Sequence, residues 1–284
     1  MNHNQSRPLT AVVLFFNVVI LQVLSGCTAS QVIPDKYWEP PLDIATLASM
    51  AADVYADAST PICERKPLSD WEKYEFDDRE GVWASSKNSP QNTGLAYAIY
   101  RKVIPDGKNG IELIVTAFRG TEFNDVGDWC ANLNASIDNL CVDQYASAAK
   151  QLYEHLNFGY NDFGPTPKWY VVGHSLGGGL AQLIGYRQPR IEQVVVFNSS
   201  PVIGINTEQY DPLFDGTTAP NIVSISEKGE ILGLPRAVSK LSPRPQANMT
   251  NIEVDFLDGT PFYQHKIELM ACRLYQSLKD KELQ

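Results

Sequence analysis

Apolar positions along the chain follow two rhythms. At Leu47, Ala51, Val54 and Tyr55 they recur at helical spacing. The same spacing returns at Tyr145, Ala148, Ala149, Leu152 and Leu156, at Leu176, Leu180, Leu183 and Ile184, and at Ile267, Met270, Ala271 and Leu274. Between these lie short apolar runs at 95–103, 111–118, 169–172, 194–197 and 222–225, which predict buried strands. Ile252, Val254 and Phe256 alternate with Glu253 and Asp255, as in a half-buried strand. Asp106-Gly107 and Asn109-Gly110 separate the first two runs and predict a hairpin. Residues 61–90 are polar, with Trp71 and Trp83 as packing anchors and no readable element. Strands alternating with helices predict an α/β domain: a mostly parallel sheet covered by helices on both faces.

The opening of the chain has a different pattern. Residues 11–24 are apolar except for Asn17 and Gln22. A spanning helix needs roughly 20 such residues, so the run is read as a secretory signal. Leu24-Ser25-Gly26-Cys27 has the form of a bacterial lipobox. The expectation is that residues 1–26 are removed and Cys27 is lipidated. Residues 27–42, with Pro34, Pro40 and Pro41, would then tether a single domain at 43–284 to the membrane. Thr28 in place of Asp resembles the sorting of outer-membrane lipoproteins, which predicts a cell-envelope location facing the periplasm or the surface.

Composition narrows the partners. The 284 residues are 44% hydrophobic and 20% charged, with a net charge of −10. That is an ordinary globular composition, and its acidity argues against nucleic acid. After Cys27, the four cysteines Cys63, Cys130, Cys141 and Cys272 permit two disulfides in an oxidising compartment. The local guess pairs Cys130 with Cys141 and leaves Cys63 with Cys272; four buried thiols are the alternative. No CxxC or Cys/His cluster suggests a metal, and no cofactor is expected.

The sharpest chemical signal is Gly173-His174-Ser175-Leu176-Gly177, placed between a predicted strand and a predicted helix. A nucleophile elbow needs that setting, because the tight turn lifts a serine clear of the sheet beside a helix N-terminus. The alternative is a Gly-rich turn with Ser175 as a plain helix cap. A hydroxyl needs a base. Of the four histidines, His3 falls in the leader, His155 lies upstream in a helix, and His174 adjoins Ser175, so its ring should point elsewhere. His265, opening the last helix, is left for the role. The acid belongs between Ser175 and His265. Asp211, Asp215, Glu227, Glu230, Asp255 and Asp258 all lie in that span. Glu230 is preferred, in the turn that follows the 222–225 strand, and Glu227 is second; either is otherwise a solvated loop carboxylate. Oxyanion donors are expected from the Leu176 N–H and from Thr121 in Phe118-Arg119-Gly120-Thr121. The plain alternative for that loop is a strand-ending turn with Arg119 exposed.

Gly-His-Ser-Leu-Gly-Gly at 173–178, preceded by Phe-Arg-Gly-Thr at 118–121, resembles the class 3 lipases. Asp128-Trp129 with Leu133, and Ser200-Pro201, match further positions of that pattern. The resemblance implies an α/β-hydrolase-like fold and ester hydrolysis through Ser175, with Thr121 and Leu176 at the oxyanion and a lid around 124–133. The family's usual acid is Asp, so Glu230 departs from the pattern. The expected function is a serine hydrolase cleaving carboxylic esters of lipids, a lipase or phospholipase held at its substrate by the lipid anchor. The alternatives are a short-chain esterase, a thioesterase or peptidase, and a non-catalytic envelope lipoprotein.

Overall fold

The computed structural model describes residues 32–39, 42–55, 64–77, 96–105, 110–120, 167–201, 220–233, 236–237 and 247–283. Helix α1 spans Ile44–Asp53 and begins at Asp43, whose Oδ1 accepts the Thr46 N–H at 2.8 Å. Seven strands follow: β1 Glu72–Asp77, β2 Ala96–Ile104, β3 Ile111–Phe118, β4 Lys168–His174, β5 Ile191–Phe197, β6 Asn221–Glu227 and β7 Asn248–Val254. Helix α2, Leu176–Arg187, lies between β4 and β5. After β7 come the single turn α3, Pro261–Gln264, and the last helix α4, Ile267–Glu282.

The strands form one sheet in chain order. β1, β2 and β3 pair antiparallel, and β3 to β7 are parallel. The mostly parallel sheet is therefore observed, with the antiparallel strands β1, β2 and β3 at one side. Period-two alternation sends successive side chains to opposite faces. Val115, Val172, Val195 and Ile225 join Leu47 and Met50 of α1 and Met270 and Leu274 of α4 in one core. Ile114, Val171, Val194 and Val196 join Leu180, Leu183 and Ile184 of α2 in the other. Helices thus cover both faces, and both cores are apolar because neither face of these strands meets water.

Two local expectations need correction. Part of the supposed tether is folded: Asp35–Tyr37 is a 3-10 turn, and Ile33, Tyr37 and Trp38 are buried against α1 and α4. The Trp38 indole N–H donates to the Ile33 carbonyl at 3.2 Å, so this aromatic pair packs although prolines flank it. His265 does not open the last helix. It sits between α3 and α4, as the residue closing α3. The polar stretch also hides strand β1, preceded by the buried Trp71. The leader, Cys27, the predicted helix at 145–156 with His155, and Trp83 lie outside the described residues. So do the 124–133 lid and Cys63, Cys130 and Cys141; only Cys272 is described, fully buried on α4.

Candidate active site

The parallel strands β4, β5 and β6 end side by side, and the site gathers at their carboxyl ends. Ser175 follows β4 with φ 56° and ψ −127°, a conformation that ordinary residues avoid. Its N–H donates to the Phe197 carbonyl at 3.2 Å, and its carbonyl accepts from Ser200 N–H at 2.9 Å. These bonds to the end of β5 and the residues just beyond it hold the strained turn. A Cβ on Gly173 would stand 2.2 Å from the Gly177 carbonyl oxygen, and one on Gly177 would stand 2.4 Å from that of Phe118. The motif's glycines are thus required by backbone packed against backbone. Ser175 makes no side-chain cap to α2, and its fully buried Oγ has no hydrogen-bond partner among the described residues. A plain capping role is therefore absent. Leu176 is the first residue of α2, where an N–H has no intrahelical acceptor.

Glu230 comes from the turn after β6 and His265 from the α3–α4 junction. His265 Nδ1 lies 2.5 Å from Glu230 Oε2, and both side chains are buried. The Leu232 N–H donates to the same carboxylate oxygen at 2.9 Å. The Arg236 guanidinium pairs with Glu230 Oε1 and donates to the Ser199 carbonyl at 3.0 Å. Glu230 is therefore held by a backbone N–H, a cation and an imidazole at once.

The runner-up carboxylate is engaged elsewhere. Glu227 Oε1 accepts from the Phe256 N–H at 2.7 Å and the Leu257 N–H at 2.9 Å, beyond the end of β7. Burial pushes its carboxyl up to about 7. The two N–H bonds oppose that rise, while Asp255 and Asp258 add to it. Asn198 ties this corner together: its Oδ1 accepts the Glu227 N–H at 2.8 Å and its Nδ2 donates to the Gln264 carbonyl at 3.1 Å.

The His174 ring is engaged by His265 and Tyr55. Its Nε2 lies 2.7 Å from the His265 carbonyl oxygen, and the two rings stand 4.7 Å apart. Its Nδ1 lies 2.8 Å from the Tyr55 hydroxyl, which also accepts the Gly120 N–H at 3.0 Å. Burial, and then the neighbouring His265, hold the His174 pKa well below the usual histidine value. Gly120 packs on the elbow: a Cβ there would meet the Ser175 Cβ at 3.0 Å and the His174 carbonyl oxygen at 2.8 Å. Arg119 beside it is buried rather than exposed. Thr121, the next residue, lies outside the described residues. Tyr55 is legible in the sequence only as an apolar-face position, and no local signal links it to His174.

A phospholipase-like family described as the Tle-like phospholipase domain matches residues 46–221, more than half of the chain. No curated protein matches. Among solved structures, esterase B from Lactobacillus rhamnosis is 14% identical, with a TM-score of 0.40, over 84% of this chain and 93% of its own. A variant of SOBER1 from Arabidopsis thaliana is 11% identical, with a TM-score of 0.34, over 48% of this chain. Esterase PE8 is 15% identical, with a TM-score of 0.33, over 48% of this chain. The chain spans 66% of the SOBER1 chain and 63% of the PE8 chain.

Proposed function

Since this chain belongs to the Tle-like phospholipase domain family, we propose that it hydrolyses carboxylic esters of lipids through Ser175, His265 and Glu230. The observation that carries the reading is the buried Glu230–His265 contact at 2.5 Å in a site that also holds a strained, buried serine.

The carboxylate accepts from His265, so the imidazole carries its proton on Nδ1 and leaves Nε2 as the base. Nε2 takes the Ser175 hydroxyl proton as Oγ bonds to the ester carbonyl carbon. The resulting oxyanion is met by the Leu176 N–H at the start of α2 and by Thr121. Collapse breaks the bond to the alcohol, which leaves with the proton from His265. Water then gives a proton to His265 and attacks the acyl-enzyme, and the fatty acid departs as Ser175 recovers its hydrogen. Throughout, Glu230 stabilises the transient imidazolium, and Arg236 fixes the carboxylate. The departure from the class 3 pattern, Glu for Asp, is met by a longer side chain starting in the turn after β6.

The lipid anchor completes the proposal. A diacylated and N-acylated Cys27 would hold the enzyme on the outer membrane and raise the local concentration of lipid ester. The test is fatty-acid release from phospholipid vesicles and from p-nitrophenyl butyrate by the detergent-solubilised protein. Release from both, abolished in Ser175→Ala, supports lipid ester hydrolysis. Cleavage of the short ester alone would reduce the reading to a short-chain esterase. Radiolabelled palmitate incorporated by wild type and lost in Cys27→Ser supports the anchor.

A further inference from the structure

Resting on that catalytic reading, we propose that Tyr55 and His174 are positioning residues, which join the oxyanion loop to the backbone of the catalytic histidine by one directed line of hydrogen bonds.

The direction follows from what each atom can do. The His265 carbonyl oxygen can only accept, so His174 Nε2 carries the proton across their 2.7 Å contact. A neutral imidazole then has a lone pair at Nδ1, which accepts from the Tyr55 hydroxyl at 2.8 Å. With its hydrogen committed, the Tyr55 oxygen accepts the Gly120 N–H at 3.0 Å. Every donor meets an acceptor. The line runs from Gly120, which immediately precedes Thr121, through Tyr55 and His174, to the peptide of His265. Its members sit on four separate segments: the chain after α1, the loop after β3, the end of β4 and the α3–α4 junction.

The arrangement does two things for the reaction. It fixes His265 from its backbone while Glu230 fixes it from its ring, so the imidazole has little freedom to turn. It also fixes the peptide that leads into the oxyanion loop, against the Cβ of the nucleophile. Both reacting partners of Ser175 are thereby referred to one frame. The charge state matters too. His265 becomes positive during attack, with the His174 ring 4.7 Å away. A second imidazolium there would oppose that charge. Burial keeps His174 neutral, consistent with its depressed pKa. The groups facing His174 are Tyr55, His265 and, through its charge, Arg236.

The test uses the full-length protein in detergent, assayed on p-nitrophenyl butyrate for kcat and KM, with thermal midpoints alongside. Tyr55→Phe removes the hydroxyl alone. His174→Phe keeps a ring and removes both hydrogen bonds. His174→Gln restores an amide N–H for the His265 carbonyl and an oxygen for Tyr55. Tyr55→Phe and His174→Phe should each lower kcat by about 10- to 100-fold while KM stays within about twofold. His174→Gln should recover part of the loss. The double variant Tyr55→Phe/His174→Phe should lose no more than the worse single, because both break one line. Unchanged kcat with a lowered thermal midpoint, or losses that multiply, would overturn the proposal. Should His174→Phe fail to fold, Tyr55→Phe and His174→Gln decide alone by the same criteria. Ser175→Ala separates the two levels. If it still hydrolyses the ester, the catalytic reading has failed; if it is inactive while Tyr55→Phe keeps full kcat, only the positioning line has.

Discussion

Glu230 Oε2 stands 2.5 Å from His265 Nδ1, with both side chains buried, although 35 residues separate them. Glu227, the other acid near the end of β6, contacts two backbone N–H groups and no imidazole in the described structure. The two carboxylates therefore part in their predicted effects. Glu230→Gln should lower kcat by about 10³- to 10⁴-fold, since an amide holds the histidine tautomer poorly. Glu227→Gln should leave kcat within about threefold of wild type, the scale of a change away from the reacting groups. Steady-state kinetics on a soluble ester decides between them, and equal losses would contradict the assignment.

Arg236 pairs with the Glu230 oxygen that does not face His265, and also holds the Ser199 carbonyl. Arg236→Ala should cost about tenfold or more in kcat, because the carboxylate loses one of its three fixed contacts. Millimolar guanidinium chloride should restore part of that activity, whereas sodium chloride at equal ionic strength should not. Equal rescue by both salts would point to a general ionic effect instead.

Glu227 makes stability depend on pH. Its folded pKa, about 7, lies above the ordinary value of 4.5. The folded state therefore holds the proton more tightly, and the associated stability is present at low pH and lost as pH rises from 4.5 towards 7. His174 has the opposite sign, because its depressed pKa costs stability as pH falls below 6.5. The comparison of wild type with Glu227→Gln isolates the carboxylate. Urea unfolding at pH 5 and pH 8 should show the variant gaining relative to wild type at the higher pH. Parallel pH profiles would contradict a buried, titrating Glu227.

The glycines of the elbow and of the neighbouring loop should fail differently. Gly173→Ala forces a Cβ to 2.2 Å from backbone and should destabilise by roughly 2 kcal/mol or more. Gly120→Ala pushes against the Tyr55 hydroxyl, the His174 carbonyl and the Ser175 Cβ. It should reduce kcat by about 100-fold at a smaller cost in thermal midpoint. A Gly120→Ala enzyme of normal kcat would show that this loop does not bear on Ser175.

These relationships are unequally legible in the chain. The buried strands announce themselves, because Val171-Val172 and Val194-Val195-Val196 face apolar layers on both sides and leave no polar position to blur the run. β1 does not, because Glu72, Lys73 and Tyr74 are exposed on an edge strand and read like a loop. The prolines near Trp38 signal an open linker, yet Ile33, Tyr37 and Trp38 bury enough apolar surface to fold back onto α1 and α4. Ser175 is legible because the elbow is a local requirement written in adjacent glycines. The partners of His174 are not, since Tyr55 and the His265 carbonyl lie 119 and 91 residues away. Glu230 stands between these cases: chain order limits the acid to one stretch, and only the turn after β6 decides which carboxylate reaches the ring.

The proposed hydrolysis runs through one activated serine, Ser175. Labelling the purified protein with a fluorophosphonate and mapping the modified peptide tests nucleophile, activation and access together. A single adduct on Ser175 is expected, formed as activity disappears, with labelling abolished in Ser175→Ala and strongly slowed in His265→Ala. Loss of activity with the adduct on another residue, or labelling of Ser175 undiminished in His265→Ala, would contradict it.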